Sequence, residues 1–393
     1  MQGGPTKKAL IVGGGIAGPV LAMFLERAGI EPVVYEGRPE LNDEAGAFLN
    51  LAPNGLAVLE ALGVREEIEA AGTPTTAIAF YNHRGKKLGE NPERTILLKR
   101  GVLNRGLREA AVRRGVPVEF GKRLTGVEVT PLRTAVARFE DGTEAKGDFL
   151  VGCDGVNSRT RRSVFPDAPK PRYTGVLDCG AFTRAPGVPP SDGVMRMTFG
   201  LKGFFGYQAV PSGEVYWFEN FHQAAEPDRD ELRAIPGAEY KRKLLDMHKD
   251  DHTPIAEIIR STEGLIDRWP LYEMPPVPKW HEGSVCLVGD AAHATTPHVG
   301  QGASMAMEDA IVLAKCLRDV PDTEEAFAAY ERIRKERVEK VVEMARRMGN
   351  QKSPSGAFGR MVRDLVFPFF LKMGVKATEP VYACRVDWDE RVA

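Results

Sequence analysis

The sequence predicts an α/β chain in which a Rossmann-type parallel sheet carries an inserted antiparallel-sheet domain and is closed by C-terminal helices. Three observations predict it. Ala9 to Val12 is an apolar strand that runs through Gly13-Gly14-Gly15-Ile16-Ala17-Gly18 into a helix. From Tyr173 to Phe221 the texture changes to alternating aromatics and methionines, the period-two pattern of strands. Ser284 to Leu317 reads as an apolar strand, a glycine-rich loop and a long helix. With 393 residues the chain exceeds what one core usually supports, so two domains are expected.

Composition excludes several classes. Lys+Arg 53 against Asp+Glu 54 leaves no basic block of the kind that tracks nucleic-acid phosphates. The five cysteines, Cys153, Cys179, Cys286, Cys316 and Cys384, are scattered, odd in number and lack CxxC spacing. A reducing cytoplasm fits them. The N-terminus enters a strand without a charged-then-apolar leader, and no apolar run is long enough to span a bilayer, so stable membrane insertion is not expected.

The elements follow in order. After Ala9–Val12, the glycine run is GxGxxG in its strand-to-helix setting: Gly13 makes the tight turn, Gly15 admits a pyrophosphate and Gly18 lets helix and strand approach. The helix buries Ile16, Val20, Leu21, Phe24, Leu25 and Ala28. The next strand, 31–35, ends in Glu36, at about the 20-residue offset where an acid holds an adenosine ribose. FAD and NAD both suit that acid, whereas a 2′-phosphate would be repelled. Leu56 to Leu62 completes a short helix stopped by Gly63. Ala77 to Leu88 reads as a hairpin around Asn82-His83-Arg84-Gly85. A helix runs from Arg100 to Arg114 with Leu103, Leu107 and Ala110 inward; on position alone Arg100 is a solvated helix-start charge.

Strands at 116–120, 127–129, 135–139 and 149–151 lead to Cys153-Asp154-Gly155-Val156-Asn157-Ser158-Arg159-Thr160-Arg161. Cys153 has no neighbour that would activate a thiol and reads as a small buried apolar group. In the aromatic stretch, Met195, Met197, Phe199, Phe204, Phe205, Tyr207, Tyr216 and Phe218 belong to strands with one face on helices and the other free to wall a ligand. Helices follow at 238–248 and 255–259. Val285, Leu287 and Val288 form the strand that ends at Gly289-Asp290, a carboxylate able to accept hydroxyl hydrogen bonds. The glycines of Pro297-His298-Val299-Gly300-Gln301-Gly302 then bring backbone close to a ligand at a helix N-terminus, where negative charge is stabilised. A reduced isoalloxazine ring is such a ligand. A long charged helix, about 323–348, shows an apolar stripe including Phe327, Ile333 and Val341. The tail, 358–371, reads as a cap over the pocket or core interrupted at Pro368, with a membrane-surface or partner helix as the alternative.

The whole string GDAAH…P…GQG…DA, with GxGxxG and the Asp154-Gly155…Ser158…Arg161 run before it, resembles the signatures of FAD-dependent monooxygenases of the p-hydroxybenzoate hydroxylase type, the group A aromatic hydroxylases. It is nearest in motif to the salicylate hydroxylase and tetracycline-modifying branches. Ser304 departs from the family, which often has Asn there. The resemblance implies an FAD site from Gly13, Gly15, Ala17, Gly18, Glu36, Arg38 and Gly46 through Arg100 and Asp154 to Asp290, Pro297, Gly300, Gln301 and Gly302. It implies domains at 1–72, 95–172 and 276–350 for FAD, 73–94 and 173–275 for substrate, and a helical segment at 351–393.

It also implies reduction by NADPH or NADH, reaction with O₂ to a flavin C4a-hydroperoxide, and hydroxylation of an aromatic or polycyclic molecule beside Met197, Phe205, Tyr207 and Phe218. Tyr207 and His298 are the candidates for a catalytic base, with His222 and His293 behind them. Epoxidation or decarboxylating hydroxylation could use the same cofactor chemistry, and a non-oxygenating flavin-binding protein is the reading from another class. One GxGxxG argues against a separate NAD domain, and the WxWxIP string of flavin halogenases is missing. Substrate identity and oligomeric state stay open.

Overall fold

The computed structural model describes residues 6–40, 47–252, 254–350 and 356–392. Its first layer is a six-stranded sheet in the order His281–Glu282, Val285–Leu287, Phe149–Gly152, Lys8–Val12, Glu31–Tyr35, Val118–Glu119. All neighbours are parallel except the outermost hairpin pair, 281–282 with 285–287. The inner strands KALIV, FLVG and VCL are near-continuous apolar runs, because a parallel sheet is covered on both faces. The first helix, Ala17–Arg27, is buried from Ala17 to Leu25 between that sheet and the helix Gly302–Asp319.

The second layer is an eight-stranded sheet ordered Asp267–Glu273, Arg172–Arg184, Glu214–His222, Phe204–Ala209, Val194–Phe199, Thr73–Asn82, Lys87–Lys99, Phe48–Leu51. The predicted hairpin around Asn82 is present, and its second strand runs on to Lys99. The strands are antiparallel with one exception: Val194–Phe199 lies parallel to Thr73–Asn82. Phe48–Leu51, from within 1–72, and residues 95–99 both pair in this sheet, so the expected boundaries at 72 and 95 cut through its ladder. Helices Gly237–Met247 and Ile255–Ser261 cover one face through Tyr240, Leu244, Ile255, Ile258 and Ile259. The other face looks toward the parallel sheet. A third sheet of three short strands, Leu124–Val129, Ala135–Phe139 and Glu144–Gly147, packs beside the first.

Two readings of the C-terminal helices need correction. In Thr323–Asn350, Phe327 and Val341 are buried but Ile333 is exposed, because the stripe facing the core is completed instead by Tyr330 and Val338. Pro368 does not interrupt the tail: one helix spans Ala357–Tyr382 with Pro368 and Pro380 inside it. A proline deprives the carbonyl four residues earlier of its amide partner. Side-chain anchoring opposes that loss. Phe367 sits 5.1 Å ring to ring from both Phe80 and Phe199, Asn82 Nδ2 donates to Asp364 Oδ2 at 2.7 Å, and the Arg363 guanidinium lies 4.5 Å from the Phe199 ring centroid.

Candidate active site

Three loops meet at the C-terminal ends of the parallel strands, the usual position of a ligand in an open α/β sheet. The first follows Lys8–Val12. Gly13 has φ +114°, and a Cβ there would lie 2.4 Å from the Cys153 carbonyl oxygen; one on Gly18 would lie 2.0 Å from the Gly13 oxygen. Around Gly15 a Cβ would meet nothing within 4 Å, because that residue faces open cavity. Glu36, at the tip of the second strand, receives the Gly14 N–H on Oε2 and the Arg38 N–H on Oε1, each at 2.9 Å. Each oxygen keeps a lone pair for a hydroxyl.

The second loop, after Phe149–Gly152, turns at Gly155 with φ +78°. The Asp154 carboxylate is turned into the protein: it accepts from Ser158 Oγ at 2.5 Å, Arg159 N at 2.8 Å and Thr160 N at 2.9 Å, capping the short helix Arg159–Val164. Its oxygens are thereby engaged in shaping the loop. Arg161, buried, donates to the Val156 oxygen at 2.7 Å and the Ala291 oxygen at 2.6 Å, which ties this loop to the third. The Cys153 thiol, part-buried beside the cavity, is pushed well above its ordinary value by desolvation.

The third loop opens at Gly289, φ +62°, and is held from behind by the helix Gly302–Asp319. Asp309 Oδ2 accepts the Gly289 N–H at 3.0 Å and lies 2.5 Å from His293 Nε2, while Oδ1 accepts from Arg334 Nε at 2.7 Å. Burial alone would raise this carboxyl, but His293 and Arg334 outweigh it and hold it at about 2. Beside it the buried Glu308 pairs with Arg334 and Arg337, and Asn54 Nδ2 bridges Glu308 Oε1 at 2.7 Å and Gln301 Oε1 at 2.8 Å. His293 is therefore engaged with Asp309 in holding the third loop. Asp290 points the other way, onto the cavity wall, with no bonded side chain among the described residues.

One cavity of about 2900 Å³ runs past all three loops to the second sheet. A drug-sized ligand needs roughly 300–1,000 Å³, so this space takes a dinucleotide and a second molecule together. Of the expected residues, Gly13, Gly15, Ala17, Glu36, Arg38, Arg100, Asp154, Asp290, Pro297, His298, Gly300 and Gly302 line it. Gly18 and Gln301 support it from beneath, and Gly46 lies outside the described residues. Buried Asn104 Oδ1 and Thr295 Oγ1 on the wall have no partner among the described residues. Orphaned polar atoms beside an open glycine cradle and a ribose-ready acid fit FAD.

At the far end, Met197 and Phe218 stand on the cavity face, joined by Phe48, Phe80, Phe182, Phe199 and Phe204. Phe205 and Tyr207 do not. Successive strand residues alternate faces, so with Phe204 inward Phe205 and Tyr207 point at the covering helices, Phe205 stacked on Trp217 at 5.4 Å. The strand FFGYQA is buried on both faces, so hydrophobicity could not show which was which. Burial also raises the Tyr207 phenol. His222 sits at an exposed strand end. His298 remains on the wall, its Nδ1 2.9 Å from Thr296 Oγ1. Phe80 and Phe182 were not singled out in the sequence, although Phe80 alternates correctly two residues before the hairpin turn.

The model of the FAD-binding domain family matches residues 6–345. The chain is 32% identical over 368 residues to the aurachin C monooxygenase/isomerase of Stigmatella aurantiaca, covering 90% of this chain and 92% of that protein. It is 30% identical to the FAD-dependent urate hydroxylase of Klebsiella pneumoniae, covering 86% and 89%. The crystal structure of Klebsiella pneumoniae HpxO complexed with FAD and uric acid superposes with TM-score 0.79 at 26% identity, over 96% of this chain and 95% of that one. The tetracycline destructase Tet(55) shares the fold at TM-score 0.76 and 21% identity, covering 98% and 99%.

Proposed function

The chain belongs to the FAD-dependent aromatic monooxygenase family, and on that premise we propose that it is a single-component hydroxylase that uses NAD(P)H and O₂ on an aromatic or polycyclic small molecule. The observation that carries the reading is the single cavity running from Gly15 and Glu36, past the Gly302 helix N-terminus, to Met197 and Phe218. Bound FAD would supply the redox chemistry, accepting reducing equivalents from the nicotinamide and delivering oxygen to the substrate.

The chain's own residues have four tasks. Gly13, Gly15 and the Glu36 carboxylate would hold the adenosine and pyrophosphate end, and Arg100, Asp290 and Pro297 the rest of the cofactor. The N–H groups opening the helix Gly302–Asp319 would stabilise negative charge beside Gly300 and Gly302. Phe48, Phe182, Met197 and Phe218 would orient an aromatic ring and exclude water from it. His298 is the cavity's candidate for taking a phenolic proton. Five free thiols suit a reducing compartment such as the cytoplasm.

The test is the flavin-loaded protein's NAD(P)H oxidation across a panel of aromatics, with peroxide yield and a mass search for products heavier by one oxygen. Hydroxylated product is expected. A hydroxylated ring with carbon dioxide released, or an epoxide, would move the reaction to its variants. If every ligand leaves all electrons in peroxide, oxygenation is wrong and flavin binding without oxygenation replaces it.

A further inference from the structure

Across the cavity face of the eight-stranded sheet, one row of paired residues runs Trp269, Asp178, Asn220, Phe204, Phe199. The row beside it runs Asp267, Gly180, Phe218, Gly206, Met197. Directly paired strand residues share a face, and Asp178 and Asn220 line the cavity with Phe204 and Phe218. The aromatic wall is thus broken by a carboxylate and an amide standing side by side, each 6% exposed. Asn220 Nδ2 is buried and meets no hydrogen-bond acceptor among the described residues, a cost that a bound acceptor would remove.

The surrounding charges do not explain the pair. Cys179 and Glu219, next along the same strands, face the covering helices, where Glu219 meets His248, and Arg268 donates there to the Leu232 and Ile235 carbonyls. Asp267, the other charge in the two rows, has the same sign as Asp178. Arg229 and Arg233 also line the cavity but are exposed, Arg229 over the Tyr272 ring and Arg233 beside Asp230. From the helix Thr323–Asn350, Lys340 and Arg347 reach the lining already paired with Glu336 and Glu343.

We propose that Asp178 and Asn220 form a specificity site that takes a ring edge presenting an N–H donor beside a carbonyl acceptor, the edge of a cyclic amide. A carboxylate only accepts, so Asp178 calls for a donor, and Asn220 Nδ2 supplies the hydrogen that a carbonyl receives. Cross-strand neighbours hold their Cβ atoms about 4.5–5.5 Å apart, which lets both side chains address adjacent atoms of one ring. Trp269 and Phe204 flank the pair in its own row, and Gly180 leaves space beside it. A hydrocarbon ring there would desolvate the Asp178 carboxylate and leave Asn220 Nδ2 unmet, so the pair rejects it as well as favouring the amide. The carboxamide of a nicotinamide cosubstrate has the same chemistry, and the experiment separates the two. That the bound ring is the one oxygenated rests on the function proposed above; its binding does not, and is measured without turnover.

The experiment is titration of the flavin-loaded full chain, without nicotinamide, with isocarbostyril, N-methylisocarbostyril and α-naphthol, followed by flavin absorbance. The N–H compound is expected to bind about ten- to a hundredfold more tightly than its N-methyl derivative. That ratio should fall toward one in Asp178→Ala and in Asn220→Leu, with Asp178→Asn, which keeps an acceptor without the charge, in between. The ratio is taken within one protein, so a partly inactive preparation does not alter it, and flavin content establishes that each variant is folded. A ratio near one in the parent overturns the proposal, as does a ratio that none of the variants lowers. An unchanged ratio with a raised KM for NADPH overturns it too, because the pair would then serve the nicotinamide carboxamide. Oxygenation of α-naphthol without preference for the N–H ring removes the specificity site and leaves the proposed function standing. Failure of every ring to be oxygenated removes that function, while the binding ratio still decides the site.

Discussion

Asp309 and His293 meet through Oδ2 and Nε2 at 2.5 Å, with the same oxygen accepting the Gly289 amide that begins the third cofactor loop. The loop's shape is thus set from a buried carboxylate sixteen or more residues away on the helix behind it. Asp309→Ala leaves Arg334 buried without that partner and is expected to destabilise the fold by about 3–5 kcal/mol. Urea midpoints of the variant and the parent, at equal flavin content, check it.

The same carboxyl predicts an acid limit. Its folded pKa, about 2, lies below the ordinary value of 3.8, so its contribution is full above pH 4 and is lost as pH falls through 2. Asp309→Asn should flatten the fall in stability across that window by about 2 kcal/mol. Thermal melts from pH 5 to pH 2 show whether it does.

Beneath the second sheet, His248 lies 3.1 Å from Glu219 Oε2 and 2.8 Å from Asp251 Oδ2. Burial disfavours its charge, but the two carboxylates outweigh burial and raise the imidazole to about 10. A raised pKa contributes stability that is full below pH 6.5 and lost as pH climbs through 10. His248→Gln is therefore expected to be less stable than the parent at pH 6, with the gap narrowing by about 1–3 kcal/mol toward pH 10. Denaturant titrations at the two pH values measure it.

Asp290→Ala is expected to weaken FAD binding roughly ten- to a hundredfold, more than any other single carboxylate change, since a hydrogen bond to a charged group contributes about 1.5–3 kcal/mol. Glu36→Ala should lower affinity by less and leave the fold intact. Flavin dissociation constants by fluorescence decide both, and wild-type affinity in Asp290→Ala would remove that residue from the site.

The two faces of the aromatic strands separate by mutation. Gly206→Ala places a methyl 2.3 Å from the Phe218 ring and must move it, so KM and substrate preference should change while flavin affinity holds. Phe205→Ala should instead cost about 3–5 kcal/mol of stability with substrate preference unchanged. Steady-state kinetics over the aromatic panel, beside urea melts, distinguishes them.

The parallel sheet was legible because its signals are local: GxGxxG needs only a strand before it and a helix after, and both stand at 8–12 and 17–27. Glu36 was legible for the same reason. The Asp309, His293 and Arg334 cluster was not, since its members stand on three separate helices brought together by packing, and Arg334 lay outside the motif that holds His293 and Asp309. Asp154 shows the opposite limit: its motif was plain, yet which way the carboxylate turned depended on amides at 159 and 160 competing for it. Tyr207 failed because a strand apolar on both faces carries no parity signal. Pro368 failed because a local rule about breaking helices met anchors from a different layer.

The eight-stranded sheet draws its strands from three separated stretches, 48–51, 73–99 and 172–273, with helices 53–61 and 65–70 between the first two and parallel-sheet strands 118–119 and 149–152 between the last two. A chimera that exchanges this sheet with that of a relative therefore cannot be made by one crossover, however well the join is chosen. Swapping 172–273 alone would set a foreign Val194–Phe199 against the resident Thr73–Asn82, the one parallel seam in the sheet. Inheritance of a new ligand preference by recombination is correspondingly obstructed, and point substitution at Phe48, Phe80, Phe182 or Phe218 is the shorter evolutionary route.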